Sequence, residues 1–180
     1  MLYPGQANCT IFFKGLSMEI SLEHIILGVS WLAIILALWR WGPKDGHSLR
    51  KAQVAFFCKQ AITWLFGLMV VEWGLLSYPI HEFEHATNTS FTFEFFVYPA
   101  ICVLYNLHFP ENQGYVTTFL YTATYCSGIT ILEVLLEKYT LLIHYIYWTW
   151  YWTWITLFLT FCLSRTYVKW FYHGYDHKKT

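Results

Sequence analysis

The chain has 180 residues, of which 57% are hydrophobic and 12% are charged, whereas soluble domains have about 45–50% apolar and about 25% charged residues. A soluble fold of this length needs more polar side chains to cover its surface, so the composition excludes an ordinary soluble domain, a secreted disulfide scaffold and a disordered tail. The 11 Lys and Arg residues are cancelled by 11 Asp and Glu residues, which excludes a nucleic-acid-binding protein.

Five apolar stretches are long enough to cross a bilayer, because the hydrocarbon core is about 30 Å thick and takes about 20 helical residues. In chain order, the predicted spans are 22–39, 52–78, 91–109, 115–136 and 146–168. We therefore predict an all-α fold, a polytopic transmembrane helical bundle of about five spans in contact with the lipid bilayer. The predicted transmembrane domain covers 22–170, between an N-terminal lead (1–21) and a cytoplasmic tail (171–180).

Two of these spans contain features that interrupt a plain apolar helix. Lys59 near the start of span two and Glu72 near its end are both expected to snorkel towards the headgroups. Pro99 near the middle of span three predicts a kink, and a re-entrant segment is the alternative for this span. Residues 1–17 have no helical period, so we expect them to be either a poorly ordered lead or residues that precede the start of the native protein. Span one is expected to act as an uncleaved membrane anchor.

The positively charged residues are unevenly distributed between the two sides of the predicted bundle. One side has Arg40, Lys44, Arg50, Lys51, Arg165, Lys169, Lys178 and Lys179, and the other has Lys14 and Lys138. Because short cytoplasmic loops retain Lys and Arg, we predict a multi-pass protein of the cell membrane with its N-terminus outside and its C-terminus in the cytoplasm.

The acidic residues gather on the opposite, outer side. At or near this interface lie Glu72, Glu82, Glu84, Glu94, Glu133 and Glu137, together with His81, His85 and His144. Ionisable groups inside a membrane are costly and usually functional, so carboxylates brought together there would hold a proton or a cation. The predicted site for an ion, a proton or a small ligand consists of Glu72, Glu94, Glu133, Glu137 and His144. The alternative is a set of solvated carboxylates that bond to Tyr, Trp and Thr neighbours in the headgroup layer.

One segment, His81-Glu82-Phe83-Glu84-His85, matches the zinc-hydrolase pattern H-E-x-x-H. On a helix, the two imidazoles would bind Zn from one face and Glu82 would act as the general base that activates a metal-bound water. Candidates for a third ligand are Glu94, Glu133 and His144. Against this interpretation, Pro79 leaves only a short polar loop in which to build the helix. We therefore expect no cofactor, with zinc as the alternative.

The run from 145 to 154 is the most unusual segment, since Trp148, Trp150, Trp152 and Trp154 occupy every second position. An isolated strand cannot cross lipid, so we predict a helix. Its rings are expected to form an aromatic belt at the outer end of span five. The alternative is a ring-lined pocket for an apolar or cationic ligand.

Several short motifs occur in order from Ala52 onward. They are Tyr78-Pro79, Ser90-Phe91-Thr92 leading to Phe96, Tyr98-Pro99, Tyr105-Asn106, Phe109-Pro110, Glu133, Tyr145 with the stretch 148–154, Arg165, and Lys169-Trp170-Phe171. In these motifs the chain resembles a functionally uncharacterised family of small multi-spanning membrane proteins from endospore-forming Gram-positive bacteria. The resemblance implies a helical membrane protein of a bacterium. In that family the segment after Tyr-Pro is often basic, where this chain has His81 and His85, which argues against the zinc site.

The leading functional prediction is a non-enzymatic membrane component. It either interacts with a membrane-protein partner or a second copy of itself, or handles a small ligand or ion at the outer carboxylates. This prediction requires that replacing Glu82 by Gln leaves function intact, whereas replacing Glu94 or Glu133 does not. The alternatives are a membrane-embedded zinc hydrolase and a proton- or cation-coupled carrier, which would need an open path past the intramembrane carboxylates.

Overall fold

A computed structural model of the chain describes residues 22–83, 85–111 and 113–176, with side chains described as far as Tyr172. In these residues the chain forms the helices α1 (Leu22–Trp41), α2 (Gly46–Glu72), α3 (Thr92–Leu107), α4 (Tyr115–Tyr139) and α5 (Trp150–Asp176). A short strand β1 (Leu76–Ser77) pairs antiparallel with β2 (His144–Tyr145). The predicted all-α class is confirmed.

Among the helices that the structure describes, α1, α2 and α4 are long and apolar enough to cross a membrane, by length and composition. Helix α3 is shorter, and α5 has 27 residues but is rich in Trp, Tyr and Thr. Helix α5 also continues past the predicted tail boundary at residue 171. The predicted lead, Lys14, Lys178 and Lys179 lie outside the described residues.

Helix α2 begins earlier than predicted because Asp45 caps it. The Asp45 carboxylate accepts hydrogen bonds from the backbone N–H groups of His47 (3.0 Å) and Ser48 (2.9 Å), which a helix start otherwise leaves unpaired. At the other end the helix stops at Glu72, and Gly74 has a φ of +65°, a conformation that favours glycine. The whole helix is therefore displaced towards the N-terminus relative to the predicted span.

This displacement places Lys59 at the midpoint of α2, thirteen residues from either end (46 to 59 and 59 to 72). The Lys59 side chain is fully buried, with 0% exposure. The prediction that Lys59 snorkels towards the headgroups is therefore wrong. Glu72, in contrast, is exposed at the last residue of the helix.

The first six residues of α3 are π-helical, and Pro99 follows them. Because proline has no N–H, the carbonyls of Glu94 and Phe95 receive no hydrogen bond from residue 99. Side chains of α2 supply the missing donors, since Thr63 Oγ1 donates to Glu94 O (2.8 Å) and Gln60 Nε2 donates to Phe95 O (3.0 Å). The predicted irregularity at Pro99 therefore takes the form of a π-helical segment that is fixed against α2.

Two sets of contacts tie the loops together at opposite ends of the bundle. At one end, called here the strand end, β1 and β2 join the α2–α3 connection to the α4–α5 connection. At the other, the Glu111 end, Glu111 of the α3–α4 connection accepts from Arg165 Nη2 on α5 (2.6 Å) and Lys51 Nζ on α2 (3.2 Å). Helix α3 therefore runs from the strand end of the bundle to the Glu111 end.

Glu111→Gln is expected to lower the free energy of unfolding by about 1–2 kcal/mol, because the buried Arg165 side chain loses its carboxylate. The effect is modest because the Glu111 side chain is 52% exposed and solvent screens the pair. The Arg165 hydrogen bond holds the pKa of Glu111 below its ordinary value of 4.5, against the opposing effect of partial burial. The pair therefore stabilises the fold above about pH 4.5, and this contribution is lost as the pH falls through the folded-state pKa.

Thermal unfolding of the purified protein in detergent, at neutral and at acidic pH, measures both effects. The difference between wild type and Glu111→Gln is expected to be full at neutral pH and to vanish in acid. Glu72→Gln, which alters an exposed carboxylate at the strand end, is the control and is expected to change stability by less than about 0.5 kcal/mol. Equal stability of wild type and Glu111→Gln at neutral pH would contradict the role of this pair.

Candidate functional site

Glu94 of α3 and Glu133 of α4 line the same cavity, which has a volume of about 100 Å³ and is called here the carboxylate cavity. Its polar lining consists of Thr63, Tyr78, Glu94, Tyr98, Glu133, Trp148, Thr153, Thr156 and Thr160. Both carboxylate side chains are buried, with exposures of 4% for Glu94 and 8% for Glu133. The structure therefore brings two of the five predicted site residues together in one buried site.

Glu133 is held by hydroxyl donors from three different segments. The phenols of Tyr98 (3.0 Å) and Tyr145 (2.6 Å) and the hydroxyl of Thr153 (2.7 Å) donate to its carboxylate oxygens. Burial, and then the nearby Glu133 charge, raise the pKa of Tyr145, so this phenol keeps its proton and remains a donor. Trp148 Nε1 donates to the Thr153 hydroxyl at 2.8 Å, which directs that hydroxyl towards the carboxylate. Both oxygens of Glu133 are therefore already bonded.

Glu94, in contrast, has one carboxylate oxygen that the described residues leave without a donor. Its Oε1 atom accepts from the Tyr78 phenol at 3.1 Å, whereas its Oε2 atom is buried and has no hydrogen-bond partner in the part of the chain that is described. The Thr89 hydroxyl lies nearby, but it bonds to the Thr87 hydroxyl at 2.9 Å. Burial, and then the nearby Glu94 charge, raise the pKa of Tyr78 well above its ordinary value, so Tyr78 is also a donor. A buried carboxylate oxygen without a donor is costly, so its complement is a ligand that carries positive charge or donates a hydrogen bond.

Gly67 of α2 is the residue against which the Glu94 carboxylate packs, because a Cβ atom at this position would overlap the carboxylate. We expect Gly67→Ala to lower the free energy of unfolding by about 1–3 kcal/mol, since Glu94 must leave its packed position. Gly128→Ala on α4 is the matched control, because nothing lies within 4 Å of a Cβ atom there. Thermal unfolding in detergent compares the two, and a Gly67→Ala protein as stable as the control would contradict this placement of Glu94.

The other three predicted site residues lie outside the carboxylate cavity. Glu72 is exposed at the C-terminal end of α2, and His144 is exposed in β2. Glu137 is half-buried one helical turn beyond Glu133 on α4, towards the strand end. The structure therefore does not bring these three side chains together with the two cavity carboxylates.

The segment that matches H-E-x-x-H, 81–85, is not helical in its described residues. Phe83 has a φ of +58°, which a right-handed helix does not accommodate. The Glu82 carboxylate accepts hydrogen bonds from the backbone N–H groups of Phe91 (3.1 Å) and Thr92 (3.3 Å), so it caps the start of α3. Glu82 therefore has a structural role in this conformation.

The two histidines of this segment have different surroundings. His81 is half-buried and its Nδ1 atom bonds to the Tyr78 carbonyl oxygen at 2.7 Å, whereas His85 is exposed. Among the described residues, which leave out Glu84, no three His, Cys, Asp or Glu side chains lie close enough together to hold a metal ion. The zinc interpretation remains an alternative, but the described residues of this segment do not form the helix that the motif needs.

The aromatic run 145–154 divides between the cavity and the outer surface. Three successive backbone N–H groups, the last of them that of Trp148, donate to the Leu75 carbonyl oxygen (3.1, 2.9 and 3.0 Å), and α5 begins only at Trp150. The prediction of a helix is therefore wrong for 145–149. As a consequence Trp148 lines the cavity, whereas Trp150 and Trp152 are exposed, as the belt interpretation expects.

The sequence predicts the kind of hydroxyl donor at the site, in the alternative of carboxylates bonded to Tyr, Trp and Thr neighbours, but not the individual residues. They are Tyr78, Tyr98, Tyr145 and Thr153. The signal for them is chemical, because a buried carboxylate needs donors and hydroxyls are the donors that an apolar span offers. Which hydroxyl meets which carboxylate depends on the pairing of β1 with β2 and on the packing of α5 against α4.

Comparisons of the chain with protein-family models, with curated proteins and with solved structures found no match. The resemblance to membrane proteins of endospore-forming bacteria therefore stays a prediction. The geometry of the carboxylate cavity is what bears on function.

Proposed function

We propose that this chain is a non-enzymatic, multi-pass membrane protein that binds one small monovalent cation, in competition with a proton, in the carboxylate cavity. The observation that carries the proposal is Glu94 Oε2, a buried carboxylate oxygen of the cavity wall that no described residue donates to. A second carboxylate, Glu133, lines the same cavity and adds negative charge. Four hydroxyl groups, those of Tyr78, Tyr98, Tyr145 and Thr153, already donate to these carboxylates. None of them donates to Glu94 Oε2, so the position left open suits a cation.

The size and lining of the cavity restrict the kind of cation. A volume of about 100 Å³ holds an alkali cation with a few water molecules, or an ammonium-type ion with few carbon atoms. Carboxylate and hydroxyl oxygens suit the first, and the rings of Tyr78 and Trp148 in the cavity wall suit the second through cation–π attraction. Both kinds carry a single positive charge that Glu94 would neutralise.

The distribution of charge supports an orientation in the membrane. The basic residues of the Glu111 end are Arg40, Lys44, Arg50, Lys51, Arg165 and Lys169. Among the described residues, the strand end has a single Lys or Arg residue, Lys138. Because cytoplasmic loops retain Lys and Arg, the Glu111 end faces the cytoplasm in this proposal and the N-terminus is outside. All five helices then cross the membrane, and α3 does so because its two ends contact opposite ends of the bundle.

Helix α1 supports contact with the bilayer, since only 6% of its apolar window is buried inside the bundle. Its exposed large side chains are Leu22, Ile25, Val29, Leu32, Ile35, Leu36, Trp39 and Trp41. In our proposal this surface contacts lipid, or the helix of a membrane-protein partner or of a second copy. The proposed location is the cell membrane of a bacterium, as the sequence resemblance implies.

The test of cation binding is thermal unfolding of the purified chain in detergent, with the chloride salts of Na⁺, K⁺, ammonium and methylammonium. A ligand at 100 times its Kd stabilises a folded protein by about 2.7 kcal/mol, so one of these cations is expected to raise the unfolding temperature. N-methylglucamine chloride, whose cation is too large for the cavity, controls for ionic strength.

The same experiment repeated at several pH values tests the competition with protons. The titratable groups that bond to the two carboxylates are the phenols of Tyr78, Tyr98 and Tyr145, which bring no positive charge. The two carboxylates also act on each other, and Lys59 meets the cavity wall at Thr160, where it bonds to a hydroxyl and not to a carboxylate. The stabilisation by the cation is therefore expected to weaken as the pH is lowered and protons occupy the carboxylates. A lack of any cation-specific shift at every pH tested would contradict the proposed function.

A further inference from the structure

Along α5, four hydroxyl side chains are spaced three, four and four residues apart, which places them on one face of the helix. They are Thr153, Thr156, Thr160 and Ser164. The first three line the carboxylate cavity, and Ser164 is fully buried beyond it. At about 1.5 Å per residue this stripe is about 17 Å long. It leads from the cavity towards the Glu111 end.

Lys59 joins this stripe from the middle of α2. Its Nζ atom donates to Thr160 Oγ1 at 2.5 Å and lies 4.4 Å from the centroid of the Phe161 ring. Although the side chain is fully buried, no carboxylate of the described chain lies within ion-pair distance of it. The ionisable groups that act on Lys59 are the thiols of Cys58, Cys102 and Cys126. A buried lysine in a membrane helix is costly, and packing alone does not need an amine, so Lys59 is a candidate functional residue.

Polar contacts continue along α5 to the surface. Ser164 Oγ lies 3.1 Å from Cys102 Sγ, and Asn106 Nδ2 lies 3.5 Å from the same Ser164 oxygen. The next residue, Arg165, donates to Glu111, whose carboxylate reaches solvent. A series of polar groups therefore extends from the buried carboxylates to an exposed one.

We propose that Lys59 and the α5 hydroxyls form a proton pathway from the carboxylate cavity to the Glu111 end. This inference rests on the proposed function, because it assigns a route to the proton that the bound cation displaces. The O–H bond of the Glu94 carboxyl breaks as the cation takes its place, and the Lys59 amine gains an N–H bond through Thr160 and water in the cavity. The ammonium then gives up a proton past Ser164 to solvent at the Glu111 end. Arg165 keeps its own protons, and its role is to hold Glu111 at this end. One cation is bound for one proton released, so charge is conserved.

Helix packing is the other role that these hydroxyls have. Thr156 and Thr160 also donate to carbonyl oxygens of their own helix, as Ser and Thr commonly do in membrane helices. A pathway differs from packing in one measurable respect. Changes at Lys59 and Thr160 alter the rate at which a proton leaves, and not only the stability of the fold.

In the experiment, the full chain is prepared in detergent and weak buffer that contains a pH-sensitive dye. This solution is mixed rapidly with NaCl, KCl or methylammonium chloride. Wild type is expected to release one proton for each cation bound, and N-methylglucamine chloride none. Lys59→Met and Lys59→Arg are expected to slow this release at least tenfold, the second because arginine does not give up its proton. Thr160→Val is expected to slow it severalfold. Thr124→Val, which removes an exposed hydroxyl that bonds within α4, is the matched control and is expected to leave the rate unchanged.

The outcomes separate this inference from the function on which it rests. Slowed proton release in the Lys59 variants with unchanged affinity for the cation, together with slowed release in Thr160→Val, supports both. A wild-type protein that binds the cation without releasing a proton, or a folded Lys59→Arg that releases it at the wild-type rate, overturns the pathway and leaves the cation site intact. If neither Lys59 variant folds, Thr160→Val decides, and an unchanged rate in it overturns the pathway. A chain that binds none of the cations overturns both.

Discussion

Replacing Glu133 by Leu is expected to lower the free energy of unfolding by about 3–5 kcal/mol, a large effect for a single substitution. The substitution removes the acceptor of three hydroxyl groups at once, those of Tyr98, Tyr145 and Thr153. Each buried donor left without an acceptor costs about 1–3 kcal/mol, which partial rearrangement of the hydroxyls reduces. Glu133→Gln is expected to cost less than the Leu variant, because the amide oxygen still accepts.

Unfolding of the detergent-solubilised protein by a denaturant measures this effect. Glu137→Leu is the matched control, because it lies one turn further along α4, is half-buried and is not part of the cavity. It is expected to change the free energy of unfolding by less than about 1 kcal/mol. If the two Leu variants were equally stable, Glu133 would not be the centre of the hydrogen-bond network described above.

Glu94→Gln is expected to weaken cation binding at least tenfold while leaving the fold close to wild type. A hydrogen bond or contact with a charged group contributes about 1.5–3 kcal/mol, which corresponds to a factor of about 10 to 150 in Kd. The amide oxygen of Gln can still accept from Tyr78, so the variant keeps the contact that orients this side chain. Isothermal titration with the cation that stabilises the wild type measures the change in Kd.

Glu82→Gln provides the contrast for this prediction. Its carboxylate caps α3 and does not line the cavity, so the variant is expected to lose up to about 1 kcal/mol of stability but to bind the cation with wild-type affinity. Loss of binding in Glu82→Gln together with unchanged binding in Glu94→Gln would move the site from the cavity to segment 81–85.

The two cavity carboxylates can be predicted from the sequence because each lies about one turn inside an apolar stretch. At such positions an ionisable group is costly unless it has partners, so Glu94 and Glu133 stand out from the acidic residues of the loops. The same criterion also selects Glu72, wrongly, because the predicted span two extends to residue 78 whereas α2 ends at Glu72. The order and number of the helices follow from the same apolar stretches. The positions of the two cavity carboxylates and the number of helices are predictable because hydrophobicity along the chain can be read directly from the sequence.

Helix ends and tertiary packing account for what the sequence does not reveal. The cap at Asp45 moves α2 by a few residues, and this alone changes Lys59 from a residue near a helix start into one at the buried midpoint. Strands of two residues are too short to show a pattern in the sequence. Even so, Tyr145 lies in β2, and the pairing of β2 with β1 fixes the segment whose phenol donates to Glu133. The positions of Glu137 and His144 outside the cavity likewise depend on packing and on the path of a loop.

The most direct test of the cation site is a crystal structure of the chain soaked with Tl⁺ or Rb⁺, whose anomalous scattering locates the ion. One anomalous peak for each chain is expected inside the carboxylate cavity, at ligand distance from Glu94 Oε2, and no such peak is expected in Glu94→Gln. Peaks found only outside the cavity, or Glu94 and Glu133 placed in separate surroundings, would contradict the proposed cation site.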